Sequence, residues 1–338
     1  MAVHLVATEP EDFIPVLGGT YLAGFRQIVN SSTTSTFRNP TFSRIAMLTS
    51  SNTQTFLSQT FTPLSEFWFH TRMHIAGEVV TSGLMMEWRS AANSNTPNVR
   101  IEKAGVNSTT YRIQISPDGT SWTTIGANFT MANNTLHTLD VRVKFHATAG
   151  AVEVYVNGTQ VVNFSGDVTS VNNVVDQVFF TCPSPAHDRY YSEVVVADES
   201  TVGWDVFTIV PNASGSNSAW LGAFTDIDEA ALDMNDFIQG NLNQTVTYNF
   251  NDFAGTFLRR PSALLAISVV GLNATGNGVS NVQAAVRVDG TDYFSSNLGM
   301  TPTSGLIVTK ALFPTNPLTG GDWWGGYLNT AEIGVRTV

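Results

Sequence analysis

The chain has 338 residues, of which only 13% are charged, and its 16 Lys+Arg against 27 Asp+Glu give a net charge of −11. Hydrophobic residues make up 43% of the sequence, which is enough for a substantial core and excludes global disorder. Only three lysines are present and no basic cluster exists, so we expect no nucleic-acid partner. The single cysteine, Cys182, excludes an intrachain disulfide and a cysteine-based zinc site.

The N-terminal segment lacks the pattern of a secretory signal. No basic residue precedes Arg26, and Glu9, Glu11 and Asp12 interrupt its apolar stretches. The longest nearly apolar stretch, residues 262–272, is much shorter than the ~20 residues that a membrane helix needs. We therefore expect a protein made without a signal peptide and without membrane insertion.

Apolar and polar residues alternate through the first half with the period of two that is typical of β-strands. Phe67 and Phe69 share one face of the first clear strand, whereas His70 and His74 lie on the other face and are expected at the surface. Asn157-Gly158 is a typical type I′ hairpin turn, and residues 117–119 (Pro-Asp-Gly) form a second turn signal. We predict strands at residues 65–75, 84–90, 99–103, 111–116, 137–145, 151–156, 159–164, 176–182 and 190–197.

The second half contains a further set of strands, after a boundary near residues 197–206. We predict them at residues 246–250, 263–272, 282–289, 291–294, 305–313 and 328–338. The only helix-like stretch is residues 228–237, which we expect to form one or two turns within a loop. The prediction is an all-β protein with two β-sandwich domains, residues 1–198 and the smaller 199–338.

Catalytic motifs are absent from the sequence. The closely spaced Glu-x-Asp-x-x-Glu strand of β-sandwich glucanases is missing, as is Gly-x-Ser-x-Gly. His70 and His74 lie about 13 Å apart on an extended strand, which is too far to share a metal ion. Glu87 has no carboxylate within four positions, and an outward-facing strand residue is the simpler interpretation. We expect no enzymatic activity, no cofactor and no metal.

A long, amide-rich loop follows an aromatic strand at residues 87–98, and loops on a rigid sandwich commonly hold binding residues. If a glycan is bound, we predict Trp88 and Trp122 as stacking residues. The predicted hydrogen-bonding partners are Asn93, Asn95 and Asn98. Trp122 follows the 117–119 turn, so filling the edge of the core is the competing interpretation. Aromatic residues also anchor protein–protein interfaces, and the sequence does not separate these readings.

Two resemblances narrow the class. Residues 137–168, HTLDVRVKFHATAGAVEVYVNGTQVVNFSGDV, resemble the concanavalin A-like (laminin G-like) jelly roll, which implies a lectin-like first domain. Residues 189–338 resemble tailed-phage virion proteins, through RYYSEVVVADES, PNASGSNSAW, TDIDE, TNPLTGGDWW and LNTAEIGVRTV. In that family a lectin-like sandwich is followed by a second β domain, and the resemblance carries no catalytic residues.

The second resemblance implies a non-enzymatic structural protein of a tailed-phage particle. It would be a tail or tail-tip appendage, a fibre or a capsid decoration, made in the host cytoplasm, with other virion proteins and host-surface glycans as partners. By analogy with phage appendages, we expect a homo-oligomer, namely a trimer. The alternatives are a freestanding carbohydrate-binding module and, third, a glycoside hydrolase of the same jelly-roll class.

Overall fold

The structure is a computed structural model of the chain. It describes residues 3–7, 13–15, 47–49, 55–58, 60–75, 83–91, 96–105, 108–181, 189–204, 206, 209–228, 236–250, 265–271, 279–300 and 307–338. The chain divides into two compact units, Met1–Phe207 and Thr208–Val338. The described residues are almost entirely β, which confirms the predicted fold class.

The strands of the first unit follow one another with short connections. They are β1 (Val3–Ala7), β2 (Phe13–Pro15), β3 (Met47–Thr49), β4 (Thr55–Ser58), β5 (Glu66–Ile75), β6 (Leu84–Ser90), β7 (Thr96–Lys103), β8 (Thr110–Ile115), β9 (Thr123–Thr124), β10 (Phe129–Thr130), β11 (Leu136–Lys144), β12 (Gly150–Val156), β13 (Thr159–Gly166), β14 (Gln177–Thr181) and β15 (Arg189–Ala197).

Two antiparallel sheets form the first unit, as in a jelly-roll sandwich. The seven-stranded sheet has the order β1-β15-β5-β11-β12-β13, with β3 also on β15. The eight-stranded sheet has the order β10-β8-β7-β6-β14-β4-β2, with β9 also on β8. Strands far apart in the sequence are neighbours in both sheets, since β5 lies between β11 and β15. This long-range pairing is typical of the jelly-roll class.

The core of the first unit lies between the two sheets. Phe69 of β5 meets Trp88 of β6 edge-on, with ring centroids 5.1 Å apart, and Phe180 of β14 packs on Tyr191 of β15 at 4.7 Å. Both contacts join one sheet to the other. The period-two pattern sets this arrangement, because a one-residue slip would bring the charged face of each strand into the core.

The hairpin predicted at Asn157-Gly158 is confirmed. Both residues have the positive φ that a type I′ turn requires, 52° and 75°, and they join β12 to β13. Asp289-Gly290 repeats the geometry in the second unit with φ of 47° and 76°. Local turn chemistry therefore fixes the register of both hairpins.

The second unit contains the remaining elements. They are β16 (Pro211–Ser218), a 3-10 helix (Phe224–Asp226), β17 (Thr245–Phe250), β18 (Leu265–Gly271), β19 (Asn281–Val288), β20 (Thr291–Phe294), β21 (Leu298–Gly299), β22 (Ile307–Phe313), α1 (Gly325–Leu328) and β23 (Glu332–Thr337). A six-stranded sheet has the order β16-β17-β23-β19-β20, with β21 on β19, and β18 pairs with β22.

The core of the second unit joins these two sheets. Ile267 of β18 and Phe313 of β22 belong to the same buried cluster as Val286 of β19 and Ile333 of β23. The short helix predicted at residues 228–237 lies largely outside the described residues. No described helix has the length and apolar character that crossing a membrane requires.

Candidate functional site

Trp88 is a core residue, not a surface residue. Its side chain is fully buried between Phe67 and Phe69, at ring-centroid distances of 5.9 and 5.1 Å. A sugar ring needs an open aromatic face, and Trp88 has none, so the prediction that it stacks on a glycan is wrong. The parity of β6 explains the placement, because Trp88 lies on the inward side with Met86, whereas Glu87 points outward.

The three predicted asparagines do not form an exposed amide cluster in the described structure. Asn98 is fully buried, and its side-chain amide donates a hydrogen bond to the carbonyl of Val174 at 2.7 Å. It therefore ties β7 to the segment before β14 and is not available to a ligand. Asn93 and Asn95 lie outside the described residues.

Trp122 is the predicted site residue that remains accessible. It is half-buried and follows the turn at residues 117–119, where the Asp118 carboxylate accepts hydrogen bonds from the amides of Thr120 and Ser121 at 2.8 and 2.6 Å. These bonds lower the pKa of Asp118 below its ordinary value. Gly119 supplies the left-handed residue, with φ of 81°. The loop that presents Trp122 is thus held by its own backbone and side-chain bonds.

A row of polar side chains extends from Trp122 across the outer face of the eight-stranded sheet. The guanidinium of Arg100 lies 4.0 Å from the centre of the Trp122 ring. Its Nε donates to Oε1 of Gln114 at 2.8 Å, and the Gln114 amide donates to the hydroxyl of Thr124 at 3.3 Å. Arg100, Gln114 and Thr124 are direct cross-strand partners on β7, β8 and β9. We call Arg100, Arg112, Gln114, Trp122 and Thr124 the Trp122 corner.

Two arginines of the Trp122 corner share one carboxylate. Nη2 of Arg100 lies 2.7 Å from Oε2 of Glu102, and Arg112 donates from Nε at 2.7 Å and from Nη2 to Oε1 of the same side chain. Burial lowers the pKa of Arg100, while Glu102 and Glu87 oppose that effect, and a guanidinium remains charged in either case. The arrangement leaves planar, pre-oriented donors beside an indole ring.

Glu87 continues the row on β6, facing outward as expected. Its Oε2 accepts bonds from Nε and Nη2 of Arg89 at 2.8 and 2.5 Å. The Arg89 guanidinium lies 3.5 Å from the centre of the Phe179 ring on β14. Glu87 itself is buried beneath these neighbours. The inner part of the face is therefore closed by its own ion pair, and the open part is the Trp122 corner.

A buried ionic network covers the outer face of the other sheet. His70 of β5 is fully buried, so the expectation that it lies at the surface is wrong. Its Nδ1 lies 2.8 Å from Oδ1 of Asp140 on β11, and its Nε2 lies 3.8 Å from Oε2 of Glu193 on β15. Burial lowers the pKa of His70, but the two carboxylates outweigh it and raise the pKa from 6.5 to about 9.

The segment after β15 closes over this network. The Thr201 hydroxyl donates to Oδ1 of Asp140 at 2.8 Å, and the Val206 amide donates to Oε2 of Glu193 at 3.3 Å. Arg72 adds a bond to Glu193 at 3.0 Å. Glu193 itself has a φ of 56° at a β-bulge, a strained conformation that aims its carboxylate at His70. With no open path to His70, the network stabilises the unit and is not a catalytic site.

His74, also expected at the surface, is buried at the same face of β5. Burial lowers its pKa below the ordinary value of 6.5, and the neighbouring His137 acts in the same direction. The described residues contain no group of three or more His, Cys, Asp or Glu side chains that could hold a metal ion. Cys182 lies outside them.

The sequence motifs of the second unit have structural roles. Glu332 of the LNTAEIGVRTV stretch accepts bonds from the Ser216 amide at 2.7 Å, the Ser216 hydroxyl at 2.5 Å and the Thr247 hydroxyl at 2.5 Å. Here β16 bulges, since Ser214 pairs with Tyr248 and Ser218 with Val246. One carboxylate thus replaces part of the ladder that would hold β16 to β17.

Known proteins share this architecture only distantly. No family model matches the chain, and no curated protein does. A carbohydrate-binding module from Bacillus subtilis is 12% identical with a TM-score of 0.32, over 51% of this chain and 93% of that structure. A native glycosidic hydrolase is 10% identical with a TM-score of 0.39, over 58% and 96%.

The binding domain of botulinum neurotoxin DC, solved in complex with SialylT, is 12% identical with a TM-score of 0.38, over 93% of this chain and 89% of that structure. Scores of this size do not place the chain in a family. The fold assignment rests on the sheet order and core described above, and the function rests on the side chains.

Proposed function

We propose that this protein is a non-enzymatic, lectin-like component of a tailed-phage particle that binds a surface glycan at the Trp122 corner. The observation that carries the glycan part is the pairing of an accessible indole with fixed planar donors. Arg100 covers one face of Trp122, which leaves the opposite face for a sugar ring. Gln114, Arg112 and Thr124 offer hydrogen bonds to hydroxyl groups beside it.

The rigidity of the corner supports the proposal. The turn at Asp118 and the Arg100–Gln114–Thr124 chain of hydrogen bonds order these side chains before any ligand arrives. A pre-ordered site loses less side-chain entropy on binding, so a modest contact area yields measurable affinity.

The phage part of the proposal is supported by the resemblance over residues 189–338. The motif residues of that stretch shape the second unit and include no described catalytic arrangement, which suits an assembly role. Genes for portal, tape-measure or tail proteins beside this gene would agree with the proposal. Neighbours that encode polysaccharide-degrading enzymes would favour the freestanding module or the hydrolase instead.

The glycan part is tested by titrating the full chain on a glycan array that carries bacterial surface polysaccharides and neutral oligosaccharides. Trp122→Ala removes the stacking face and is expected to weaken binding roughly five- to one-hundred-fold, the range for an aromatic platform worth about 1–3 kcal/mol. Arg100→Lys keeps the charge but loses the planar fork, so a smaller loss is expected.

Trp204→Ala is the matched control. Trp204 is also half-buried in the first unit, but it follows Thr201 on the segment that covers the other sheet. Unchanged binding by folded Trp122→Ala would refute the site. Release of reducing ends from any bound polysaccharide would refute the non-enzymatic assignment and favour the hydrolase.

A further inference from the structure

Trp324 is the one exposed tryptophan among the described residues, with 53% of its surface open to solvent. It belongs to the second unit, directly after Trp323, which is fully buried and donates its indole N–H to the carbonyl of Phe313 at 2.8 Å. The buried ring anchors the backbone from which the exposed ring projects. The adjoining pair therefore combines a fixed base with an open aromatic surface.

The ring of Trp324 is held in one orientation. Tyr327 meets it edge-on, with centroids 5.3 Å apart and planes at 77°. Gly326 lies against the ring, since a Cβ at that position would come within 2.6 Å of two ring carbons. The carbonyl of Trp324 accepts hydrogen bonds from the amides of Tyr327 and Leu328. An exposed ring that is already ordered loses little entropy when a ligand covers it.

The loop before the ring is equally fixed. The side-chain oxygen of Asn316 accepts the Leu318 amide at 2.9 Å, and the Asn316 backbone exchanges bonds with Gly320 and Gly321 at 2.8 Å each. This closed loop leads to Asp322, an exposed carboxylate two residues before the ring.

The chemistry around Trp324 suits a small ring with hydroxyl groups. Besides Leu318, the exposed residues of the loop are polar or glycine, namely Thr319, Gly320, Gly321 and Asp322. Protein-docking surfaces are contiguous apolar patches of a few hundred Å². A lone indole beside a carboxylate matches one sugar ring better, because the ring stacks its C–H face while the carboxylate accepts hydroxyl hydrogen bonds.

We infer that Trp324 is a second carbohydrate-stacking site, with Tyr327 as its positioning residue and Asp322 as a hydroxyl acceptor. The site lies in the second unit and does not depend on the Trp122 corner. The protein would then carry two glycan contacts per chain, one in each unit.

The test uses the full chain with and without Trp122→Ala, on the same glycan array and by titration with each neutral oligosaccharide that binds. In the Trp122→Ala background, residual binding should fall roughly five- to one-hundred-fold on adding Trp324→Ala. Trp324→Tyr, which keeps an aromatic face, should retain part of it. In the wild type, N-bromosuccinimide should oxidise Trp324 first, and saturating oligosaccharide should slow that oxidation several-fold.

Three results would overturn the second site. Binding that Trp122→Ala abolishes entirely leaves no role for Trp324, although the proposed function would stand. Residual binding that is unaffected by Trp324→Ala places the second contact elsewhere. A fall in solution mass on Trp324→Ala, with glycan binding unchanged, would identify the ring as a contact between copies of the chain. Binding lost only with Trp324→Ala would instead support this site and refute the Trp122 corner.

Discussion

The buried histidine makes the stability of the first unit depend on pH in a direction opposite to that of a paired carboxylate. His70 has a pKa of about 9 in the folded protein and an ordinary value of 6.5 when unfolded. A raised pKa stabilises the fold fully below pH 6.5, and the stabilisation is lost as the pH rises through 9. The perturbation is therefore a rise in pH or the removal of the imidazole.

The size of the effect follows from the two pKa values. One pKa unit corresponds to 1.36 kcal/mol, so the shift of His70 is worth about 3 kcal/mol in the free energy of unfolding. Within the window, the folded state holds one proton more than the unfolded state, and stability falls by about 1.4 kcal/mol for each pH unit. His74 does not interfere, because its lowered pKa affects stability below pH 6.5.

The assay is urea unfolding at pH values from 6.5 to 9, followed by tryptophan fluorescence and circular dichroism, with the transition of the first unit assigned by Trp88→Phe. His70→Asn keeps a donor for Asp140 but cannot take up the proton, so its stability should change little over this range. His146→Asn is the control, since His146 is exposed and an asparagine oxygen can replace Nδ1 as acceptor for Thr148. Its slope should equal that of the wild type.

A wild-type stability that stays flat from pH 6.5 to 9 would refute the reasoning. The same conclusion follows if His70→Asn retains the slope, because the titrating group would then be another residue. A slope that is present in the wild type and His146→Asn and absent in His70→Asn would establish the network of Asp140, His70 and Glu193 as its source.

Other predictions concern packing and assembly. Trp88→Ala should cost the first unit about 3–5 kcal/mol in urea unfolding, because it empties a buried indole site, and an undiminished midpoint would contradict its core placement. Gly334→Ala should destabilise the second unit by about 3 kcal/mol or more, since a Cβ there would lie 1.9 Å from the carbonyl oxygen of Val246; unchanged stability would show that the backbone yields. Hydrogen bonds from Ser216 and Thr247 outweigh burial and lower the pKa of Glu332 below 4.5, so Glu332→Gln should lose about 1–3 kcal/mol at pH 7 and remove part of the second unit's acid sensitivity below pH 4.5; an acid profile like that of the wild type would contradict this. Light scattering should give a trimer mass, and a strict monomer at high concentration would argue against self-assembly.

The strands could be predicted because each carries its own pattern. In β11, Leu139, Val141 and Val143 alternate with charged residues, and the structure places all three in the core. The hairpin at Asn157-Gly158 was equally local. Trp88 illustrates where the same information was misjudged, since its parity with Met86 already favoured the inward face.

The buried network could not be predicted by such patterns. His70 lies on the polar side of β5 and would be exposed if nothing covered that side. It is buried because Thr201 and Val206, more than 130 residues later, fold across the sheet. Coverage of a sheet by a distant segment leaves no periodic signal in either stretch. The same limit applies to the Trp122 corner, where Arg100 reaches the ring from another strand.

The bulge in β16 also changes what the edge of the six-stranded sheet can do. A regular edge strand presents evenly spaced amide and carbonyl groups on which a foreign strand can add, and proteins often prevent this with lysine side chains. This chain has three lysines in all. Between Ser214 and Ser218 the strand departs from the regular repeat, because the Glu332 carboxylate holds the backbone at Ser216 in place of its neighbour's carbonyls. An incoming strand would lose its register there, so the irregularity itself protects the protein from edge-to-edge aggregation.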